Sequence, residues 1–192
     1  MGKTTWKPGT MLYPAPLALV SCGDSPENFN IITIAWAGTL CSEPPMAYIS
    51  VRPSRYSHEI IKKTGEFVIN LPNVKLASAT DYCGVKSGRE INKFSQLKLT
   101  AIQAEQVKAP LIEECPLNIE CRVTEIKPLG SHDMFMAQVL AIHADEKYLD
   151  KKTGALDLKA ADLICYSHGK YYALGKQLGF FGYSIQKKKK KS

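Results

Sequence analysis

Between a β-rich run and a helical one the chain reads Val51-Arg52-Pro53-Ser54-Arg55-Tyr56-Ser57-His58. Two arginines and two hydroxyls at the start of a helix are groups suited to a phosphate monoester. The helix N-terminus offers unpaired N–H donors and the positive end of the dipole, Ser54 and Ser57 add hydroxyls, and Arg52 and Arg55 add forked charged donors. His58 follows directly and joins the candidate set. Taken alone, the string also fits a simpler account in which Ser54 caps the helix and the arginines are solvated.

Upstream, Asn28-Phe29-Asn30 leads into a β-branched run that ends Ala35-Trp36-Ala37-Gly38-Thr39. Gly38 permits close approach of a planar ring, Trp36 supplies an aromatic wall, and strand N–H and C=O groups can pair with a heterocycle's polar edge. Asn30, Trp36, Ala37, Gly38 and Thr39 are therefore candidate ring contacts. Trp36 fits a core position as well, and Asn30 a turn.

Other devices are missing. The glycines at 169 and 175 have one residue too many between them for a P-loop, and Gln177 stands where a magnesium-binding hydroxyl belongs. Gly175, Gly179 and Gly182 lack the dinucleotide-binding spacing. No H-E-x-x-H run or Ser-His-Asp ordering offers a catalytic acid or base. The six cysteines, at 22, 41, 83, 115, 121 and 165, form no C-x-x-C pair, so reduced and mostly buried thiols are expected and no metal centre.

These residues need a β scaffold. Short runs at 17–22, 31–37, 46–51, 67–71, 99–105, 117–126 and 135–144 are rich in β-branched residues or alternate in polarity, and Pro and Gly separate them. Two short helices are predicted. One starts at Ser54 or Arg55, turns Ile60 and Ile61 inward and stops at Gly65; the other spans about 75–83 and stops at Gly84.

At 192 residues, 45% hydrophobic and 22% charged, the chain suits one core. No apolar run approaches the roughly 18 residues of a membrane span. The start lacks the pattern of a secretion signal, and a cytoplasmic protein with no membrane association is expected. Of the net charge of +7, five units belong to Lys187–Lys191, leaving +2 on the rest. Residues 1–186 are read as one domain and 187–192 as a solvated basic tail, with no nucleic-acid role.

Together the two polar stretches resemble the flavin reductase-like family with an FMN-binding split barrel, and within it the flavoredoxin group. The resemblance rests on Pro14-Ala15-Pro16, on Asn30, Thr33, Ala35-Trp36-Ala37 and Thr39, on Arg52 to Ser57, on Phe67-Val68-Ile69-Asn70-Leu71-Pro72, and on Ser87-Gly88-Arg89-Glu90 with Lys93-Phe94. It implies a mainly β chain with short helices, a six-stranded split barrel, a homodimer, and FMN at or near the subunit interface. It puts the ring beside Asn30, Trp36, Ala37, Gly38 and Thr39, and the phosphate on Arg52, Ser54, Arg55 and Ser57 with His58. Cys83, Lys86 and Ser87 would line the cofactor's other side, though Cys83 fits a buried helix-end thiol equally well.

The chain departs from the family where flavin reductases typically read Gly-Asp-His-Thr before a strand carrying Gly-Glu-Val. Here the residues are Gly130-Ser131-His132-Asp133 and Ala137-Gln138-Val139. His132 and His168 are candidates for the substrate side of the ring; a turn residue and an aromatic dimer contact are their alternatives. The departure favours an electron-transfer flavoprotein reduced by a partner protein over an NAD(P)H-dependent flavin reductase. A non-catalytic barrel for FMN, haem or an anionic polymer is the third reading.

Overall fold

The computed structural model describes residues 2–186, so the basic tail at 187–192 lies outside the described residues. In chain order the elements are β1 (Ala15–Pro16), β2 (Ala18–Cys22), β3 (Asn30–Ile34), β4 (Ala37–Ser42), β5 (Pro45–Val51), α1 (Tyr56–Thr64), β6 (Glu66–Leu71), α2 (Ala77–Val85), α3 (Lys93–Leu97), β7 (Ala101–Ile102), β8 (Leu111–Ile112), β9 (Leu117–Pro128), β10 (Asp133–Ala144), α4 (Leu158–Ala161), β11 (Ile164–Ser167) and β12 (Lys170–Ala173). Seven strands form one antiparallel sheet in the order β3-β2-β6-β9-β10-β5-β4. A smaller sheet, β1-β11-β12, joins the segment at 15–16 to that at 164–173.

The large sheet curls on itself. Val20, Ile32, Ile49, Val51, Phe67, Cys121 and Phe135, drawn from strands at both ends of the order, share one core with Ile60 and Ile61 of α1. The N–H of Ser50 on β5 also donates to Trp36 O just beyond β3, at 2.8 Å. On the other face, Leu19 and Ile31 pack with Leu76, Cys83 and Phe94 from the α2 and α3 region. With β2 buried along its whole length, the sheet is covered on both sides at this point.

Several expectations need correction. The run at 31–37 is not one strand: it breaks at Ala35-Trp36, and Ala37 begins β4, which pairs with β5. The run at 99–105 keeps only Ala101–Ile102 as strand. Gly65 does end α1 in a left-handed conformation (φ 70°), but Gly84 lies inside α2, which continues to Val85. At Gly84 a Cβ would sit 3.3 Å from that of Thr33, so the glycine serves close approach of helix to strand. The main sheet has seven strands where six were implied, and α3 and the β11/β12 hairpin were not foreseen. No described helix is long and apolar enough to cross a membrane.

Glu120 of β9 ties down the 103–109 loop. Its fully buried carboxylate accepts the N–H groups of Glu105 (2.9 Å), Gln106 (2.6 Å) and Val107 (3.0 Å), with His143 Nε2 at 2.6 Å. Burial would raise this acid, but the backbone donors and His143 outweigh it and hold the carboxyl below its ordinary value of 4.5. A depressed carboxylate stabilises the fold fully above its ordinary value and loses that contribution as pH falls through the folded one. Glu120→Gln is thus expected to cost about 2–4 kcal/mol at pH 7 in urea denaturation, with the deficit narrowing below pH ~4.5.

Candidate functional site

The turn out of β5 sets the first part of the site. Arg55 N–H donates to Arg52 O at 3.0 Å, and Arg55, extended at φ −78° and ψ 137°, occupies the cap position of α1 without a side-chain cap bond. Ser54 is therefore not the cap, which overturns that half of the simpler account; its other half, solvated arginines, agrees with the exposure of Arg52 and Arg55. Arg52, Ser54, Arg55 and the buried Ser57 face a cavity of about 430 Å³, opposite Cys83, Lys86, Ser87 and Gly88. Among the described residues no carboxylate lines it.

Two buried residues complete this cationic end. Asn30 donates from Nδ2 to Ser57 Oγ at 2.8 Å, which leaves the serine proton free to donate elsewhere. Lys93, at the start of α3 and 3% exposed, donates from Nζ to Ile31 O (2.7 Å) and Cys83 O (2.8 Å). Burial, reinforced by the nearby Arg55 and opposed by the Cys83 and Cys22 thiols, lowers its pKa from the ordinary lysine value. The Cys83 thiol is pushed up to about 11 by burial, with Lys93 opposing.

A second cleft of about 400 Å³ shares Ile32, Arg52 and Arg55 with the first, so the two adjoin. It runs along Thr33-Ile34-Ala35-Trp36 and is walled by Tyr13, Tyr166, Tyr171 and His132. Tyr13 and Tyr171 each meet Tyr166 edge-on, at 6.0 and 5.9 Å between centroids. Tyr171 O–H donates to Asp81 Oδ1 at 2.8 Å, tying the β11/β12 hairpin to α2. The His132 ring lies 4.5 Å from that of Trp36, tilted by 50°.

The structure regroups the predicted residues. Arg52, Ser54, Arg55, Ser57, Cys83, Lys86 and Ser87 come together as expected. Asn30 joins them at the cationic end, away from Trp36, because its side chain turns toward Ser57. Ala37, Gly38 and Thr39 continue onto β4 and line neither cavity; the space over Gly38 is taken by Tyr48, whose Cε1 would lie 2.8 Å from an added Cβ. His58 turns away from the cavity, its Nε2 2.8 Å from Asp133 Oδ2 and its ring edge-on to Phe135. His132 lines the aromatic end, whereas His168 occupies the hairpin turn at φ 47° beside Tyr13 and lines neither cavity. Sequence reasoning missed Tyr13, Tyr166 and Tyr171, and it quoted Lys93 only within a motif. Asn92, which caps α3 by accepting from Ser95 N, was the local signal for the helix that buries Lys93.

The pattern described as "Flavin reductase like domain" matches residues 10–175, and the chain belongs to that family. Its fold is the family's split barrel. It is similar to the flavoredoxin of Desulfovibrio vulgaris (Miyazaki F), with a TM-score of 0.89 and 31% identity over 96% of this chain and 100% of that one. The flavoredoxin from Methanosarcina acetivorans gives a TM-score of 0.86 at 28% identity, covering 97% and 100%. An uncharacterised protein of Archaeoglobus fulgidus is 34% identical over 141 residues, 73% of this chain and 78% of the relative. Family, fold and cleft are consistent with FMN-binding redox function.

The Trp36–His132 contact supplies a local probe. Burial and the Arg52 charge lower His132 from its ordinary 6.5, and a protonated imidazole beside an indole quenches its emission. Trp36 fluorescence is expected to fall on acidification with a midpoint below pH 6.5, and His132→Asn should abolish the transition.

Proposed function

We propose that the cleft holds one FMN, with its phosphate at the cationic end and its isoalloxazine along residues 32–36 at the aromatic end. The observation that carries this reading is that a cavity lined by Arg52, Arg55, Lys86 and Lys93, with no carboxylate among the described residues, adjoins a cleft walled by Trp36 and three tyrosines. The donor set suits a phosphate: two forked arginines, a serine oriented by Asn30, and a buried ammonium with a proton beyond its two carbonyl bonds. Arg55 makes no side-chain hydrogen bond or ion pair among the described residues, while Glu59 and the Tyr56 ring beside it are occupied by Arg89. A charge placed at a helix N-terminus with no protein partner calls for an anion.

The ring end is prepared by the backbone. As the last strand of the sheet, β3 leaves one edge unpaired; Ile31 O on that edge accepts from Lys93, and Thr33, two residues along, presents its N–H and C=O on the same edge. Trp36 and the tyrosines exclude water from the flanks. When bound, FMN supplies hydride and single-electron chemistry, and the chain's part is to bind, orient and shield it.

On this reading the protein is a flavin-dependent oxidoreductase of the electron-carrying kind that exchanges electrons with a partner protein. An NAD(P)H-dependent flavin reductase is the second reading, favoured by the position of His132 at the aromatic end. A homodimer is part of the proposal: beyond β12, Leu174, Leu178, Phe180, Phe181 and Ile185 run exposed, an apolar surface suited to a second copy.

Two measurements test the cofactor. Fluorescence titration is expected to show FMN bound at least about a hundredfold more tightly than riboflavin, since several charge-assisted bonds depend on the phosphate; equal affinities would remove the phosphate assignment. Arg55→Ala should weaken FMN binding sharply while the apo-protein's melting temperature holds or rises slightly, because the dipole repulsion of about 0.3–1 kcal/mol is relieved.

The donor and assembly are tested separately. Anaerobic stopped-flow mixing of the FMN-loaded protein with NADH and with NADPH is expected to give slow flavin bleaching; rapid bleaching would establish the reductase reading. Sedimentation at micromolar concentration should show a dimer, and an FMN-saturated monomer would overturn the assembly.

A further inference from the structure

The segment at 86–92 between α2 and α3 carries Lys86, Ser87 and Gly88, one wall of the cationic cavity, and Ser54, Arg55 and Tyr56 lie on the facing wall. Arg89 does not line that cavity. It stands outside, bordering a separate depression with Tyr56, Gly88 and Asn92, and its side chain joins the two walls. Nη1 donates to Ser54 O at 3.3 Å, the guanidinium carbon lies 5.1 Å from the centroid of the Tyr56 ring, and Nη2 is 3.6 Å from Glu59 Oε2. All three partners belong to the turn and first residues of α1.

The segment is seated closely. An added Cβ at Gly88 would fall 2.1 Å from Asn30 Oδ1, so the backbone rests directly on the buried amide that orients Ser57. Ser87 Oγ accepts from Arg89 N at 3.2 Å, which folds the segment back and aims the arginine at α1. No regular strand or helix pairing holds residues 86–92, and the arginine reaches from this segment to Ser54, Tyr56 and Glu59.

We propose that Arg89 is a latch: a positioning residue that keeps the Lys86–Gly88 wall closed over the phosphate and so sets how fast a phosphate-bearing flavin leaves. It acts through the wall, since its charge is already committed to Glu59 and the Tyr56 face. The inference rests on the FMN reading and adds to it a route of release.

The test is the dissociation rate of FMN and of riboflavin, followed by flavin fluorescence after dilution, in the unaltered chain and in Arg89→Ala and Glu59→Gln. Arg89→Ala is expected to release FMN roughly tenfold faster and riboflavin within about twofold of the unaltered rate, as the loss of an exposed cation–π contact and a charged hydrogen bond implies. The apo melting temperature should move by no more than about 3 °C, since the ion pair is exposed. Glu59→Gln separates latch from charge: removing a negative group near the site would slow FMN release by electrostatics alone, whereas loss of the latch partner speeds it. Slower release from Glu59→Gln, or no change in Arg89→Ala while the unaltered chain still retains FMN over riboflavin, would overturn the latch alone. Equal release of both flavins from the unaltered chain would overturn the phosphate assignment and the latch with it.

Discussion

Four positive side chains, Arg52, Arg55, Lys86 and Lys93, face one cavity that no carboxylate of the described residues lines, and much of the surrounding structure can be understood as holding them there. Like charges that share a cavity oppose their own assembly, although the lowered pKa of Lys93 reflects its burial first and Arg55 only as a lesser cause. Each is therefore fixed by backbone. The turn out of β5 places the two arginines, the end of α2 places Lys86, and the capped start of α3 places Lys93, which donates two of its three protons to the carbonyls of Ile31 and Cys83. Gly84 lets α2 approach β3 closely enough for this geometry. An arrangement that spends stability in the empty protein is expected where a ligand supplies the missing charge.

What was legible in the sequence follows from what is local. The Arg52 to Ser57 string lies on one turn, so its residue types and spacing sufficed to bring those side chains together, and the strands around 46–51 and 117–126 carried their own alternation. The aromatic end was not legible in the same way. Tyr13 precedes β1 while Tyr166 and Tyr171 lie more than 150 residues later, and only the pairing of β1 with β11 brings them together. Trp36 was read as a ring contact together with its downstream neighbours, but the bend before β4 separates it from Ala37, Gly38 and Thr39. Just past that bend the chain joins β5, Trp36 O accepting from Ser50 N as the first rung of the pairing that continues with Ala37 opposite Ile49.

The region of departure from the family has its own structural logic. Asp133, standing where flavin reductases carry Thr, is bound by the nearly buried His58, so the residue first assigned to the phosphate instead anchors the start of β10 to α1. That anchor lies directly beside His132, which contributes to the aromatic end. The fold shared with the flavoredoxins is thus compatible with a locally different setting for whatever approaches the ring.

The buried cysteines bear on the protein's chemical durability. Burial drives the thiols of Cys22 and Cys121 up to about 12, that of Cys83 to about 11 and that of Cys115 higher still. The thiolate is the form that oxidants attack. At neutral pH a group titrating near 11 exposes it in only about one molecule in ten thousand. Four of the six thiols are thereby held in the form that oxidants attack slowly, so the core resists conversion to sulfenic acid, while the half-buried Cys41 and Cys165 lie outside that protection.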